Sequence, residues 1–220
     1  MSDDPKGNTS MTGAIVIGVL IAVIPATLGY FAQFLDGIRK DRLAFTNNQL
    51  EKLYGALYAL TQASDVTWKQ FVASNWPNKS RYFFDPAQPP SIEQVTSWRL
   101  WMRNVFQPMN LMIEQTIVSN SQLVVGNEMP PVFQKMIAQT EAYKAIMAGW
   151  KDTDKDNPDA YRSRYNNTVT DINYPEKIVL CVAMVYRALK DRQEVLQHSI
   201  IESFRLAAFQ PPCECNQTPQ

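Results

Sequence analysis

Four side chains carry the chain's scope for nucleophilic, redox or soft-metal chemistry: Cys181, Cys213, Cys215 and the single histidine, His198. Cys181 and His198 fall on one predicted helix, 17 residues apart, which separates them by about 25 Å along its axis. A thiol and its activating base need an approach of about 3 Å, so an unbroken helix excludes that pair. Glu194, His198 and Glu202 recur every fourth residue on one helix face. They make half of a metal site if another helix or chain completes it, and otherwise a solvated stripe with mild charge pairing. Cys213-Glu-Cys215 supplies two of the four ligands of a tetrahedral zinc site, or thiols for lipidation, or simply part of an inert tail. These two cysteines are too close for an ordinary disulfide with each other, and no disulfide framework is visible.

Asp152, Asp154 and Asp156 alternate like the first ligands of a calcium loop. The match then fails, because Asn157 stands where glycine is needed and Ser163 where the bidentate glutamate should be. A polar turn is the plainer expectation. Phosphate-binding glycine loops, the G-x-S-x-G elbow and H-E-x-x-H are all missing from the sequence. One histidine cannot supply the two E-x-x-H motifs of a di-iron bundle. The expectation is therefore a protein without catalytic residues, cofactor or metal. Zero net charge from 21 basic and 21 acidic residues, with no basic block, argues against nucleic acid as a partner. With 45% hydrophobic and 11% aromatic residues, the 220-residue chain has the means to build one packed core.

The run 14–35 contains no charged residue. As a helix it would be about 33 Å long, against a hydrocarbon core of about 30 Å. Gly18, Pro25 and Gly29 within it suit transmembrane helix packing or kinking, and Tyr30, Phe31 and Phe34 suit an interfacial belt. The acidic start and the length of the run argue against a cleaved signal peptide. Arg39, Lys40, Arg42 and Lys52 follow the run, with only Lys6 before it. The positive-inside rule then places the N-terminus outside and the C-terminal domain in the cytoplasm of a single-pass inner-membrane protein. The expected organisation is a short extracytoplasmic N-terminus (1–13), a transmembrane helix (14–35), a cytoplasmic helical domain (36–208) and a disordered tail (209–220).

Beyond the run, apolar residues recur at three-four spacing in four long segments. The first spans about Asp36 to Asn75, with Leu43, Leu50, Leu53, Leu57, Leu60, Trp68 and Phe71 on one face, and continues out of the preceding helix with Gly37 as the one soft point. The second opens at Ser91, where Ser91 and Gln94 form a capping-box pattern. Its stripe is Val95, Trp98, Met102, Val105, Met109, Met112, Thr116 and Leu123, with a kink predicted at Pro108 and a stop at Gly126. The third opens at Pro130-Pro131 and buries Phe133, Met136, Ile137, Thr140, Tyr143, Met147 and Trp150. The fourth starts near Asn173 and buries Ile178, Val182, Val185, Leu189, Leu196, Ile200 and Phe204. The fold class expected is all-α: a single N-terminal transmembrane helix followed by an antiparallel bundle of about four long helices.

Two features stand apart from that core. Tyr82, Phe83 and Phe84 lie in a proline-rich connector, where they plug the end of the bundle or meet a partner. Trp101 falls off the main seam between Arg99 and Arg103 and is a candidate for a second packing surface. The methionines of the second helix are core or an adaptable interface.

The segment Leu50-Glu-Lys-Leu-Tyr-Gly-Ala-Leu-Tyr-Ala-Leu60, with Trp98-Arg-Leu-Trp-Met-Arg-Asn-Val-Phe-Gln-Pro108-Met-Asn110, resembles a group of bacterial membrane-anchored helical proteins of unassigned function. The resemblance implies an inner-membrane protein with a cytoplasmic helical domain, and carries over no activity and no site residue. The expected function is a membrane-tethered interaction or scaffold protein. Its partners are the lipid bilayer, through 14–35, and a protein partner or a second copy. The alternatives are a self-assembling membrane effector or transport accessory acting through its transmembrane helix, and an enzyme with an unrecognised site.

Overall fold

The computed structural model describes residues 9–75, 90–150 and 172–198, with the side chains of 9–26 and of Leu28 left out. Among the described residues there is no strand, and the helices form four long rods. The first rod is α1 (Thr9–Asn48), a π-helical segment (Gln49–Tyr54) and α2 (Gly55–Asn75). It runs without a break through Gly37. The second is α3 (Ile92–Trp101), a second π-helical segment (Met102–Phe106) and α4 (Gln107–Ser119), followed by a 3-10 turn at Ser121–Leu123. The remaining rods are α5 (Pro131–Ala148) and α6 (Lys177–His198). α6 packs on α1, α2 and α5, and α4 packs on α2 and α5, so the rods enclose a common core.

Several helix ends follow the local chemistry of the sequence. Ser91 Oγ accepts from the Gln94 amide at 3.2 Å, and Gln94 Oε1 accepts from the Ser91 amide at 2.9 Å, so both halves of the expected capping box form. Proline opens α5 at Pro131, where its missing N–H costs no bond. Gly126 sits at φ 96°, a conformation that glycine adopts without strain. The helix before it stops earlier than expected, at Ser119.

The stripes of the first, third and fourth segments are largely buried as expected. Leu53, Leu57, Phe71, Phe133, Met136, Ile178, Val182, Val185, Leu189 and Leu196 are all in the core. The second rod departs from its expected stripe at one place. Val95, Trp98 and Met102 are buried, but the seam then continues through Phe106, Asn110, Ile113 and Ile117. Each position lies one residue later than the expected Val105, Met109, Met112 and Thr116. The cause is the π segment. Its bonds span five residues, as from the Gln107 amide to the Met102 carbonyl, and this inserts one residue without adding rise to match. One extra residue rotates everything beyond it by about 100°. The segment lies just before Pro108, whose ring would collide with the Asn104 carbonyl in a regular helix. The irregularity expected at Pro108 is thus taken up one turn earlier.

The first π segment is clamped by the loop that follows α4. Gln49 Nε2 donates to the Leu123 carbonyl at 2.9 Å, and the Val125 amide donates to Tyr54 Oη at 3.0 Å. Gly55 closes this segment with a five-residue bond to the Leu50 carbonyl. A Cβ at position 55 would run into that carbonyl oxygen, while Tyr186 Cε2 would stand at an ordinary 3.9 Å. The glycine therefore serves the geometry of its own turn.

The inner-membrane placement is overturned. Among the described residues, no helix is long and apolar enough to cross a membrane. The cationic flank that set the orientation belongs to the bundle. Arg39 pairs with Asp36 at 2.8 Å and donates to the carbonyls of Leu196 and Gln197 at 3.1 and 3.3 Å, at the C-terminal end of α6. Lys40 also pairs with Asp36, at 2.7 Å. A cation on the last carbonyls of a helix is a capping interaction. The expected single-pass topology, N-terminus outside and domain cytoplasmic, does not stand.

Candidate interaction surface

On the outer side of α3 and α4, before and beyond the second π segment, a row of apolar residues meets solvent. Leu100 is 61% exposed, Met112 53%, Val118 55% and Leu111 36%. Asn104, Pro108 and Gln115 are exposed alongside them. Together these residues line the outer side of α3 and α4 over about 27 Å. Between Leu100 and Val118 the sequence carries two charges, Arg103 and Glu114. Glu114 turns inward, with its side chain 15% exposed and Oε2 at 3.3 Å from Lys144 Nζ on α5. Lys144 also pairs with Glu141. Burial pushes the Glu114 carboxyl up, the adjoining Glu141 carboxyl adds to this, and Lys144 opposes both. Glu141 itself is held low, first by Lys144. Arg103 is left as the one charge on the outer side, and it too is engaged within the chain.

Trp101, the sequence's candidate for a second packing surface, is half-buried. Its ring lies 5.5 Å from Phe71 and 6.0 Å from Phe106. It borders a second core cluster of Phe71, Trp98, Met102, Phe106, Tyr143 and Trp150. Trp68 closes that cluster edge-on to Trp98 and Phe106 at 6.0 and 5.8 Å. The Arg99 guanidinium lies over the Trp150 ring at 5.2 Å. Tyr82, Phe83 and Phe84 lie outside the described residues, as do Asp152–Asp159, Glu202, Cys213 and Cys215. Gly18 and Pro25 lie on α1 among the side chains left out, and a Cβ at Gly29 would meet open space. Tyr30, Phe31 and Phe34 are exposed on α1.

His198 and Glu194 are both exposed near the end of α6. Among the described residues no three His, Cys, Asp or Glu side chains gather as a metal site. A shallow cleft of about 350 Å³ opens beside the first π segment, lined by Asn47, Glu51, Gly55, Tyr186, Lys190 and Gln193 among others. Its rim is tied together, since Lys190 Nζ donates to Gln193 Oε1 at 2.6 Å and Gln193 Nε2 to Asn47 Oδ1 at 2.8 Å. Tyr186 stacks on Tyr58 at 4.7 Å. Cys181 departs from the sequence expectation, because it is buried and disulfide-bonded.

Leu111 and Val118 were not singled out from the sequence, because a constant helical period hides a rotated face; Leu100, which precedes the π segment, was not singled out either. One signal was present. Between 105 and 118 the apolar residues Val105, Phe106, Met109, Leu111, Met112, Ile113, Ile117 and Val118 cover more of the helix than one buried seam requires. No family model, curated protein or solved structure matches this chain.

Proposed function

We propose that this domain is a non-catalytic helical interaction module, its four rods running up and down as an antiparallel bundle, and that the outer side of α3 and α4 docks on the same side of a second copy. The observation that carries the reading is the apolar, nearly uncharged row Leu100, Pro108, Leu111, Met112 and Val118. Depletion of charge marks the core of protein interfaces. A two-fold contact sets each face against itself, so a charged face would meet like charge. This one carries a single cation, Arg103. Methionine at its centre suits an adaptable contact. Two such helix faces, each about 27 Å by 10 Å, present roughly 500 Å² in total, below the ~1,000 Å² of a standard specific interface and in the range of a weak or transient contact. The dimer is accordingly weak, with a dissociation constant on the order of micromolar. Sedimentation equilibrium of the full chain tests this. A monomer–dimer equilibrium is expected, abolished by Met112→Glu with no change in melting temperature. A dimer that survives Met112→Glu and Leu111→Glu together places the contact elsewhere and defeats the reading.

A further inference from the structure

The cleft of about 350 Å³ lies where the first π segment faces α6, and its volume falls within the range of small-molecule sites. Two features of the sequence open it. The π segment widens its turn by one residue, an irregularity that recurs at functional sites. Gly55 then lines the cleft without a side chain, with Tyr186 Cε2 3.9 Å from where a Cβ would stand. None of the lining residues belongs to α3 or α4, so the cleft is separate from the row Leu100 to Val118.

The lining carries opposite charges that do not meet. Glu51 comes from the π segment and Lys190 from α6, and both are exposed. Among the described residues neither is in an ion pair, and the Glu51 carboxylate accepts no hydrogen bond. Lys190 is held in place: its Nζ donates to Gln193 Oε1 at 2.6 Å, and Gln193 Nε2 donates to Asn47 Oδ1 at 2.8 Å. That chain uses one of the three ammonium donors and leaves two. Leu50 and Tyr186 supply apolar surface, and the Tyr186 ring is braced by stacking on Tyr58 at 4.7 Å.

We propose that this cleft binds a free amino acid with an apolar side chain, held as its zwitterion. The ligand carboxylate accepts from the remaining Lys190 donors, its ammonium group donates to Glu51, and its side chain lies on Leu50 and Tyr186. The two protein charges sum to zero, which matches a ligand of zero net charge. A molecule carrying only one of the two charges answers one side of the cleft and leaves the other unanswered. Both charges are exposed, so each contact adds little, and the dissociation constant is on the order of 1 mM.

The test is a titration of the ¹⁵N-labelled full chain, followed by amide chemical shifts. The probes are L-leucine, L-methionine and L-phenylalanine, each taken to about 20 mM, well above the expected dissociation constant. At least one should give saturable shifts at Gly55, Tyr186 and Lys190. For that amino acid, the analogue lacking the amine and the analogue lacking the carboxylate should each bind about three- to fivefold more weakly. Glu51→Gln and Lys190→Met should each weaken the intact amino acid by a similar factor, with an unchanged melting temperature, since both positions are exposed. No saturable shift with any of the three, analogues that bind as tightly as the amino acid, or variants that keep the wild-type affinity would each overturn the proposal.

Discussion

Gln107 donates its side-chain amide to the backbone carbonyl of Thr140 at 3.0 Å, with both residues buried. Gln107 is the first residue after the second π segment. The bond therefore holds α4 to α5 at the point where the rotation of the helix face begins. Gln49, the first residue of the first π segment, reaches the Leu123 carbonyl. In both places a widened turn is joined to a neighbouring element by a buried glutamine, and a buried amide left without such a bond costs about 1–3 kcal/mol.

The π segment accounts for the seam shift, which gives a prediction by deletion. Removing Asn104, an exposed residue inside the segment, takes out the extra residue. Val95, Trp98, Met102, Phe106, Asn110, Ile113 and Ile117 then recur at intervals of 3, 4, 3, 4, 3 and 4, in place of 3, 4, 4, 4, 3 and 4. Combined with Pro108→Ala, which relieves the proline clash, the deletion should fold with a melting temperature within about 5 °C of wild type. Deleting Gln115 instead, beyond the segment, rotates Ile117 and Leu123 off the core and should lower it by well over 10 °C. Thermal melting followed by circular dichroism checks both. Equal damage from the two deletions would remove the π segment from the explanation.

Much of the fold was legible in the sequence for a simple reason. Ser91 with Gln94, the prolines before α5, and the stripes of Leu53, Leu57, Phe133, Met136, Val182, Val185 and Leu189 are local signals on regular helices. The exposed apolar row on α3 and α4 was not legible, because a one-residue insertion leaves no mark in composition and only a broadened apolar set around Met109–Ile113. The membrane assignment treated Arg39 and Lys40 as a flank. Their pairing with Asp36, and the reach of Arg39 to the end of α6, depend on tertiary contacts that spacing does not report. Cys181 was compared with His198, and the tail cysteines with each other. The disulfide bond at Cys181 has no such local signal.

Tyr54 gives a prediction at alkaline pH. Burial pushes its hydroxyl up to about 12 from an ordinary 10, against the opposing bond from the Val125 amide. An acid whose folded pKa is raised stabilises the fold below its unfolded pKa, and that stability is lost as the pH climbs through the folded one. The wild type should thus lose roughly 2–3 kcal/mol between pH 10 and pH 12 from this residue. Tyr54→Phe should lose less over that window. At pH 7 it should be less stable than wild type by about 1–2 kcal/mol, because the Val125 amide is stranded. Urea titrations at three pH values decide it, and parallel alkaline slopes for the two proteins would contradict the assignment.

Glu114 gives the complementary prediction on the acid side. Its carboxyl is raised, chiefly by burial, so the fold is penalised as the pH rises from the unfolded glutamate pKa through the folded one. Glu141 is lowered, chiefly by Lys144, and acts in the opposite sense, since its contribution is lost as the pH falls. Glu114→Gln removes the first effect and keeps most of the shape. Relative to wild type the variant should be more favourable at pH 7 than at pH 4. A difference between the two proteins that does not change across this range would show that Glu114 ionises freely in the fold.

The measurement closest to the central claim is sedimentation equilibrium of the full chain and of Met112→Glu, from about 1 to 200 μM, a range bracketing the affinity expected of an interface this small. The account predicts a concentration-dependent monomer–dimer equilibrium for the wild type and a monomer throughout for the variant, with identical melting curves. A wild type that stays monomeric across the range, or a variant that dimerises as well as wild type, would contradict it.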